Sequence, residues 1–111
     1  MNSNLILATK LRYALQKRGG KYVYSLSNVR INGVNRGCSG FIRNKENGTC
    51  VYVDTEIPVY NVMGLYMFRY ADNEKDYHGY RNHWADSFNG LVDGICEMLK
   101  SDPVTEKEFR L

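Results

Sequence analysis

Hydrophobic side chains recur at helical spacing near the N-terminus of the chain. The apolar positions are Leu7, Leu11, Ala14 and Leu15. A repeat of three and four residues marks one face of an α-helix, which predicts a helix over residues 3–18. Ser3 or Asn4 is expected to cap it, because their side-chain oxygens can accept hydrogen bonds from the first turn. Gly19-Gly20 is expected to end it, since glycine readily adopts the left-handed conformation found after helices.

A second amphipathic pattern lies near the C-terminus and predicts a helix over residues 86–100, capped by Asp86 or Ser87. Its apolar face consists of Phe88, Leu91, Val92, Ile95, Met98 and Leu99. Gly90 and Gly94 lie inside this helix, where each glycine costs about 1 kcal/mol relative to alanine. We therefore expect another element, most simply the sheet, to approach that face closely.

Between these helices the pattern changes to strand-like runs rich in tyrosine, valine and isoleucine. The predicted strands cover residues 21–31, 35–44, 49–55 and 62–71. Two Asn-Gly dipeptides, Asn32-Gly33 and Asn47-Gly48, are typical of tight hairpin turns. Pro58 interrupts the pattern and makes residues 56–61 a connection or an edge segment. The sequence therefore predicts an antiparallel meander of three to four strands, followed by a polar loop over residues 72–83.

Together these elements predict a single α+β domain over residues 1–111: an N-terminal helix, the meander, and a C-terminal helix packed on the sheet. Hydrophobic residues at 43% and charged residues at 24% are in the globular range, and the segment from residue 101 is expected to dock or to form a flexible tail. No apolar run approaches the roughly 18 residues that span a bilayer. The odd cysteine count predicts reduced thiols at Cys38, Cys50 and Cys96 and a cytoplasmic location.

Turn geometry predicts which side chains share a face of the sheet. With each Asn-Gly pair at the centre of a two-residue turn, Tyr24 lies opposite Phe41 and Arg43 lies opposite Tyr52. One surface then collects Tyr22, Tyr24, Phe41, Arg43, Lys45, Cys50 and Tyr52. The other surface, the expected core side, collects Val23, Ile42, Val51 and Val53. A basic and aromatic sheet face is the arrangement that stacks bases of single-stranded nucleic acid, although helices that cover this face would explain the same pattern.

The charge distribution is strongly asymmetric along the chain. The first 45 residues carry nine basic and no acidic side chains, whereas the remainder carries six basic and all twelve acidic ones. Such a split favours either a polyanionic partner or head-to-tail pairing in a homo-oligomer. The candidate nucleic-acid contacts are therefore Lys10, Arg12, Lys17, Arg18, Lys21, Tyr22, Tyr24, Phe41, Arg43, Lys45 and Tyr52.

The segment 69–84 concentrates the residue types that dominate binding hot spots. Its candidate partner-binding residues are Arg69, Tyr70, Tyr77, His78, Tyr80, Arg81 and Trp84. Loops carry function more often than the elements that they connect, so this segment is the first choice for a protein contact surface. The alternative is a loop whose aromatic side chains merely fasten it to the domain.

No motif indicates catalysis, a metal site or a cofactor. His78 and His83 are the two histidines, and neither they nor the cysteines follow the ligand spacing of a zinc site. A Cys–His nucleophilic pair lacks a supporting motif, and the glycines do not precede a helix as in a phosphate-binding loop. The sequence thus favours a non-enzymatic protein.

The segment around the aromatic loop resembles parts of small uncharacterised proteins of phages and other mobile elements. The resemblance covers about residues 65–100, about a third of the chain. It is carried by Arg69-Tyr70-Ala71, Lys75-Asp76-Tyr77, Gly79, Asn82 and the amphipathic helix after them. It implies an accessory protein of phage or mobile-element origin, a group that includes anti-CRISPR inhibitors, which typically act by binding. The hypothesis is an interaction protein that inhibits a host nucleic-acid-processing defence complex; a small nucleic-acid-binding domain is the alternative.

Overall fold

Two helices cover one face of a five-stranded antiparallel sheet in a computed structural model, which describes residues 5–56 and 65–100. The elements are α1 (Ala8–Gln16), β1 (Tyr22–Ile31), β2 (Val34–Asn44), β3 (Cys50–Asp54), β4 (Tyr66–Ala71), β5 (His83–Ala85) and α2 (Phe88–Lys100). The strands lie in the order β1-β2-β3-β4-β5, so the predicted α+β meander is confirmed with one strand more than expected. The predicted features at 1–4, 57–64 and 101–111 lie outside the described residues.

Helix α1 begins later than predicted, at Ala8, and Leu7 occupies the capping position without a side-chain hydrogen bond. The Ala8 N–H instead donates to the Asn28 side-chain oxygen on β1 at 2.8 Å. A tertiary contact thus satisfies this N–H at the start of the helix, which a local sequence pattern could not reveal. The predicted caps Ser3 and Asn4 lie outside the described residues. At the other end Gly19 has a φ of 78°, as a glycine at a helix end was expected to have.

Helix α2 packs on the sheet as its glycines predicted. A Cβ atom at Gly94 would lie 2.5 Å from the Phe68 ring on β4, so only glycine lets the helix backbone come this close. The Ser87 hydroxyl accepts from the Gly90 N–H at 3.0 Å, and Ser87 is therefore the helix cap. The prediction of a close approach between this helix and the sheet is confirmed.

The main core lies between the helices and one face of the sheet, here called the helix face. The helices contribute buried leucine, isoleucine and valine side chains, including Leu11, Leu15, Ile95 and Leu99. The central strands contribute Ile42, Val51, Val53, Phe68 and Tyr70. Burial of such side chains is worth about 1.5–3 kcal/mol each, which identifies this layer as the main source of stability.

The β2–β3 connection is longer than the two-residue turn that Asn47-Gly48 predicted. Asn44 and Thr49 still pair, with an N–H···O=C distance of 2.8 Å, so four residues form the loop. Both Asn44 and Asn47 donate through their side-chain amides to the carbonyl of Leu99, at 2.7 and 2.9 Å. The longer loop therefore satisfies a carbonyl at the end of α2, which otherwise would have no helical partner.

A β-bulge in β2 overturns the predicted register of the first hairpin. Asn32 and Gly33 adopt the expected positive φ angles of 53° and 78°, and the pairing next to the turn follows the prediction. The register then shifts, since Arg30 pairs with Asn35 whereas Val29 pairs with Gly37. One extra residue on one strand reverses the face of every side chain beyond it.

The consequence is that Tyr22 and Tyr24 lie on the helix face, opposite Asn44 and Ile42. The single aromatic surface predicted from the sequence is therefore wrong, as is the assignment of Val23 to the core, since that side chain is exposed. The observed β2–β3 register differs from the predicted one by two residues. Because side chains alternate with a period of two, this shift leaves each side chain on the face that was predicted for it. The opposite side of the sheet, here called the open face, carries Val23, Phe41, Arg43, Cys50, Tyr52, Asp54, Met67, Arg69 and Trp84.

Candidate functional site

The β4–β5 loop, residues 72–82, folds back over the open face and is held there by two arginines of the sheet. Arg43 forms a bidentate ion pair with Glu74, with N···O distances of 2.6 and 2.7 Å. Arg69 donates from Nη2 to the main-chain carbonyl of Asp76 at 2.7 Å. Gly79 passes so close that a Cβ atom there would meet Arg69 Nη1 at 1.8 Å. The sequence of this loop therefore specifies one defined path across the sheet.

Asp76 organises the interior of the loop. Its carboxylate accepts from the backbone N–H groups of Asp72, His78 and Gly79 at 2.9, 3.2 and 2.9 Å. Burial opposes ionisation, but these hydrogen bonds and the nearby Arg69 outweigh it and lower the pKa of Asp76. The loop is consequently built around a stable carboxylate at neutral pH.

Arg69 is buried within this arrangement, with only 4% of its surface exposed. Its guanidinium lies over the Tyr52 ring at 4.7 Å from the centroid, and Nη1 donates to the carbonyl of Tyr70 at 3.1 Å. A cation stacked on an aromatic ring and bound to carbonyl groups is well stabilised even when it is desolvated. Arg69 therefore acts as a support for the loop rather than as a contact residue.

The predicted partner-binding set divides into buried and exposed residues. Tyr70 belongs to the helix face and packs edge-on against Tyr80, with 6.4 Å between the ring centroids. The Tyr80 hydroxyl donates to the Asp72 carboxylate, so both tyrosines and Arg69 fasten the loop, as the alternative interpretation expected. The exposed members are Tyr77, His78, Arg81 and Trp84.

Tyr77 and Trp84 are large aromatic side chains that remain accessible at fixed places on the open face. Tyr77 is 66% exposed, although its ring packs against Phe41 and Tyr52 at centroid distances of 5.4 and 6.1 Å. Trp84 is 48% exposed and lies beside Met67 across the β4–β5 pairing. Because packing restrains the Tyr77 ring before binding, a partner that covers this ring loses little conformational entropy.

A pocket of about 360 Å³ opens beneath the loop on this face. Its lining consists of Tyr52, Met67, Arg69, Tyr77, His78, Tyr80 and Asn82. This volume is at the lower end of the range for small-ligand sites and is large enough to accept one side chain of a partner. We name the exposed members of the predicted set, Tyr77, His78, Arg81 and Trp84, the contact surface. Tyr77 and His78 line the pocket, and Trp84 lies opposite Met67, another lining residue.

The contact residues predicted from the sequence did not include Met67, Asn82 or Asp54. Met67 is two residues from Arg69 on β4, and Asp54 is two residues from Tyr52 on β3. Because side chains alternate between the two faces of a strand, the sequence could have predicted that these residues share the open face. Asn82 carried no such signal, because its position depends on the path of the loop.

The candidate nucleic-acid residues are not brought together on one surface. Phe41, Arg43 and Tyr52 lie on the open face, where Phe41 is buried and Arg43 is paired with Glu74. Tyr22 and Tyr24 lie on the helix face. The basic side chains of Lys10, Arg12, Lys17, Lys21 and Lys45 are exposed.

Acidic residues of the second part of the chain neutralise two of the candidate basic residues within the molecule. Arg18 pairs with Asp93 at 2.6 Å, and Arg43 pairs with Glu74. The first pair joins the turn after α1 to α2, and the second joins the sheet to the loop. Some of the basic residues in the first part of the chain are thus paired with acidic residues of the same molecule. Head-to-tail association between two molecules stays a prediction.

The three cysteines are free and buried. Burial raises the pKa of Cys38 to about 11 and that of Cys50 to about 12, and burial likewise raises the pKa of Cys96. Because the thiolate is the reactive form, these thiols are poor nucleophiles at neutral pH. In residues 5–56 and 65–100 no cluster of three metal-ligating side chains occurs, and no helix there is long and apolar enough to cross a membrane.

Asp54 is the unusual titratable group of the open face. It is 4% exposed, and its carboxylate accepts from the Glu56 N–H at 2.8 Å and from the Tyr52 hydroxyl at 3.3 Å. Burial outweighs these hydrogen bonds and raises its pKa to about 6. The folded protein therefore binds this proton more tightly than the unfolded chain, in which an aspartate titrates near pH 4.

We expect Asp54→Asn to change how stability depends on pH. The Asp54 contribution is present at low pH and is lost as pH rises from about 4 to about 6, because the folded state then must release its proton. The neutral asparagine removes this loss and is expected to raise the free energy of unfolding at pH 7 by about 2 kcal/mol. Urea unfolding at several pH values measures it, with the exposed Asp86→Asn as the charge-matched control. If the free energy of unfolding depends on pH in the same way in Asp54→Asn and in the unmodified protein, the raised pKa of Asp54 is wrong.

No protein-family model, curated protein or solved structure matches the chain.

Proposed function

We propose that this chain is a non-enzymatic interaction protein that binds a protein partner through the contact surface on its open face. The observation that carries this proposal is the presence of two exposed aromatic side chains, Tyr77 and Trp84, beside a pocket about 360 Å³ in volume. Protein interfaces are enriched in such aromatic residues and use them as central contacts.

The chemistry of the pocket supports a protein partner with a polar or anionic side chain. The buried positive charge of Arg69 lies in the pocket wall, where its Nη atoms already donate to the carbonyls of Tyr70 and Asp76. The hydrogen-bonding groups for a partner therefore come from His78 and Asn82 at the rim. The rings of Tyr52 and Tyr77 supply apolar walls. A side chain that enters the pocket would be enclosed by aromatic surface while its polar end meets these donors.

The resemblance of residues 65–100 to phage and mobile-element proteins supports the class of partner. On that basis the partner is a host nucleic-acid-processing defence complex, such as a CRISPR effector, and binding to it is inhibitory. An inhibitor of this kind needs no catalytic group, because occupying a functional surface of the complex is sufficient.

The proposal predicts that Trp84→Ala weakens binding to a purified CRISPR effector complex by roughly 30-fold, the loss expected at an aromatic hot spot. Tyr77→Ala is expected to have a similar effect, since both rings lie on the contact surface. Biolayer interferometry with the immobilised effector measures the affinities. Tyr13→Ala is the matched control, because Tyr13 is 62% exposed but lies on α1.

Two results would count against this proposal. If the unmodified protein does not bind candidate effectors at micromolar concentration, the partner class is wrong. If binding occurs but Tyr13→Ala weakens it as much as Trp84→Ala does, the assignment to the open face is wrong. Circular dichroism of each variant shows whether folding is retained.

Direct nucleic-acid binding is the second candidate, favoured by the exposed basic side chains on α1 and after it. Lys10, Arg12 and Lys17 belong to α1 or its end, and Lys21 precedes β1. Such a surface would bind phosphate groups with a strong salt dependence. It lacks the joint aromatic face that the sequence had predicted, so base stacking has less support than phosphate contact.

A further inference from the structure

Strand β1 forms one edge of the sheet, and among the described residues it pairs with β2 alone. It is ten residues long, and it contains neither proline nor an acidic residue. Proteins commonly protect exposed edges with proline, with short strands or with charges in the middle of the strand. Here the charged residues are Arg30 near one end and Lys21 just before the other.

The backbone groups that β1 directs outward can be assigned from its pairing with β2. The carbonyl of Lys21 accepts from Lys45 N–H at 2.9 Å, and the carbonyl of Ser25 lies against Gly40 of β2. These odd-numbered residues therefore point their backbone groups toward β2. Because the direction alternates along an antiparallel strand, Tyr22, Tyr24 and Leu26 point theirs away from the sheet.

Side chains along this edge leave room for another strand. Ser25 and Ser27 are small and exposed, and Val23 offers an exposed apolar side chain on the open face. The bulge between Val29 and Arg30 lies toward the hairpin turn, so the register from Tyr22 to Val29 is regular. A peptide of about six residues could pair there and satisfy the outward backbone groups.

The charge around this edge indicates what kind of strand fits it. The Arg12 guanidinium lies over the Tyr24 ring at 5.7 Å from the centroid, and Lys21 and Arg30 lie at the two ends of β1. No acidic residue occurs in the first 45 positions. Two copies of β1 placed edge to edge would bring these like charges together, which disfavours pairing with a second copy.

We infer that the outer edge of β1 binds an extended, acidic segment of a protein partner as an additional antiparallel strand. This site is separate from the contact surface around Tyr77 and Trp84. Backbone hydrogen bonds from Tyr22, Tyr24 and Leu26 provide the pairing, and acidic side chains meet Arg12 and Lys21. The edge thus selects its partner by extended conformation and by charge.

The test uses the full-length protein and synthetic ten-residue peptides. The probe alternates valine and threonine with glutamate; one control replaces glutamate by lysine, and another keeps the charge but contains two prolines. Backbone amide exchange is followed by NMR. With the acidic probe at saturation, the N–H groups of Tyr22, Tyr24 and Leu26 are expected to exchange at least about tenfold more slowly, whereas those of Val23 and Ser25 change little.

A matched pair of variants tests the role of charge. Ser25 is exposed on the edge strand, so Ser25→Glu and Ser25→Lys differ in sign at one position without disturbing the core. The glutamate variant is expected to bind the acidic probe roughly 3-fold more weakly than the unmodified protein, and the lysine variant roughly 3-fold more tightly.

Several outcomes would overturn the inference. These are no binding of the acidic probe at millimolar concentration, binding without protection of the three outward N–H groups, and equal binding of the proline-containing or lysine peptide. Protection that depends on protein concentration alone would identify a second copy as the occupant. If a single-stranded oligonucleotide binds and the acidic probe does not, the basic side is a nucleic-acid surface instead. None of these results bears on binding through Trp84, which is measured separately.

Discussion

Replacing Arg69 by alanine is expected to lower the free energy of unfolding by about 4 kcal/mol, because several interactions of one buried cation are lost together. The guanidinium stacks on Tyr52 and donates to the carbonyls of Tyr70 and Asp76. The substitution leaves these groups without their donor and opens a space between the sheet and the loop. Thermal and urea unfolding of the purified variant measure the loss.

The control is Arg81→Ala, which removes the same charge from an exposed position of the same segment. It is expected to change stability by less than about 0.5 kcal/mol. Arg69→Met retains much of the side-chain volume but no charge or donors, so it separates packing from hydrogen bonding. If Arg69→Met is as stable as the unmodified protein, the guanidinium does not hold the loop.

The same substitution has a consequence for the contact surface. Tyr77 lies on the loop that Arg69 holds, whereas Trp84 lies on β5. Arg69→Ala should therefore increase the exchange of backbone N–H groups in residues 72–79 while leaving most of the sheet protected. Under the proposed function it also weakens partner binding, although Arg69 itself is almost fully covered by its neighbours.

The sequence correctly predicted those elements whose structure is determined by residues close together in the chain. The apolar repeat near the C-terminus predicted the buried face of α2, and Gly94 predicted a close neighbour, which is Phe68. The Asn32-Gly33 dipeptide predicted a hairpin turn with two positive φ angles, as observed. In each case the short segment contains the physical cause of its own structure.

The sequence did not predict those features that depend on contacts between residues far apart in the chain. Gly37, next to Arg36, is a residue type that often accompanies a β-bulge, but it does not by itself specify the bulge that turns Tyr22 and Tyr24 to the helix face. The four-residue loop at Asn47 depends on a carbonyl of Leu99, 52 residues further along the chain. The role of Arg69 likewise depends on how the loop returns over it. Hence residue types predicted the segment that contains the contact surface, but only the fold separates its exposed members from its supports.

Gly40→Ala is expected to lower the free energy of unfolding by about 4 kcal/mol. Two effects contribute to this loss: backbone strain and overpacking. Gly40 has a φ of 142°, and a Cβ atom there would lie 2.0 Å from the carbonyl oxygen of Ser25. That oxygen is backbone and cannot rotate away, so β1 must shift relative to β2. Urea unfolding measures the stability, and amide exchange shows whether β1 has separated.

Gly48→Ala is the comparison variant, because Gly48 also has a positive φ, 78°, but nothing lies within 4 Å of a Cβ atom there. Its expected cost is about 1 kcal/mol, from the left-handed backbone alone. The difference between the two variants, about 3 kcal/mol, contains the contact with Ser25 and the larger backbone strain at a φ of 142°. Equal stabilities of the two variants would mean that β1 yields to the methyl group at little cost. The pairing of β1 with β2 would then be too loose to present the regular outer edge to which an acidic strand could bind.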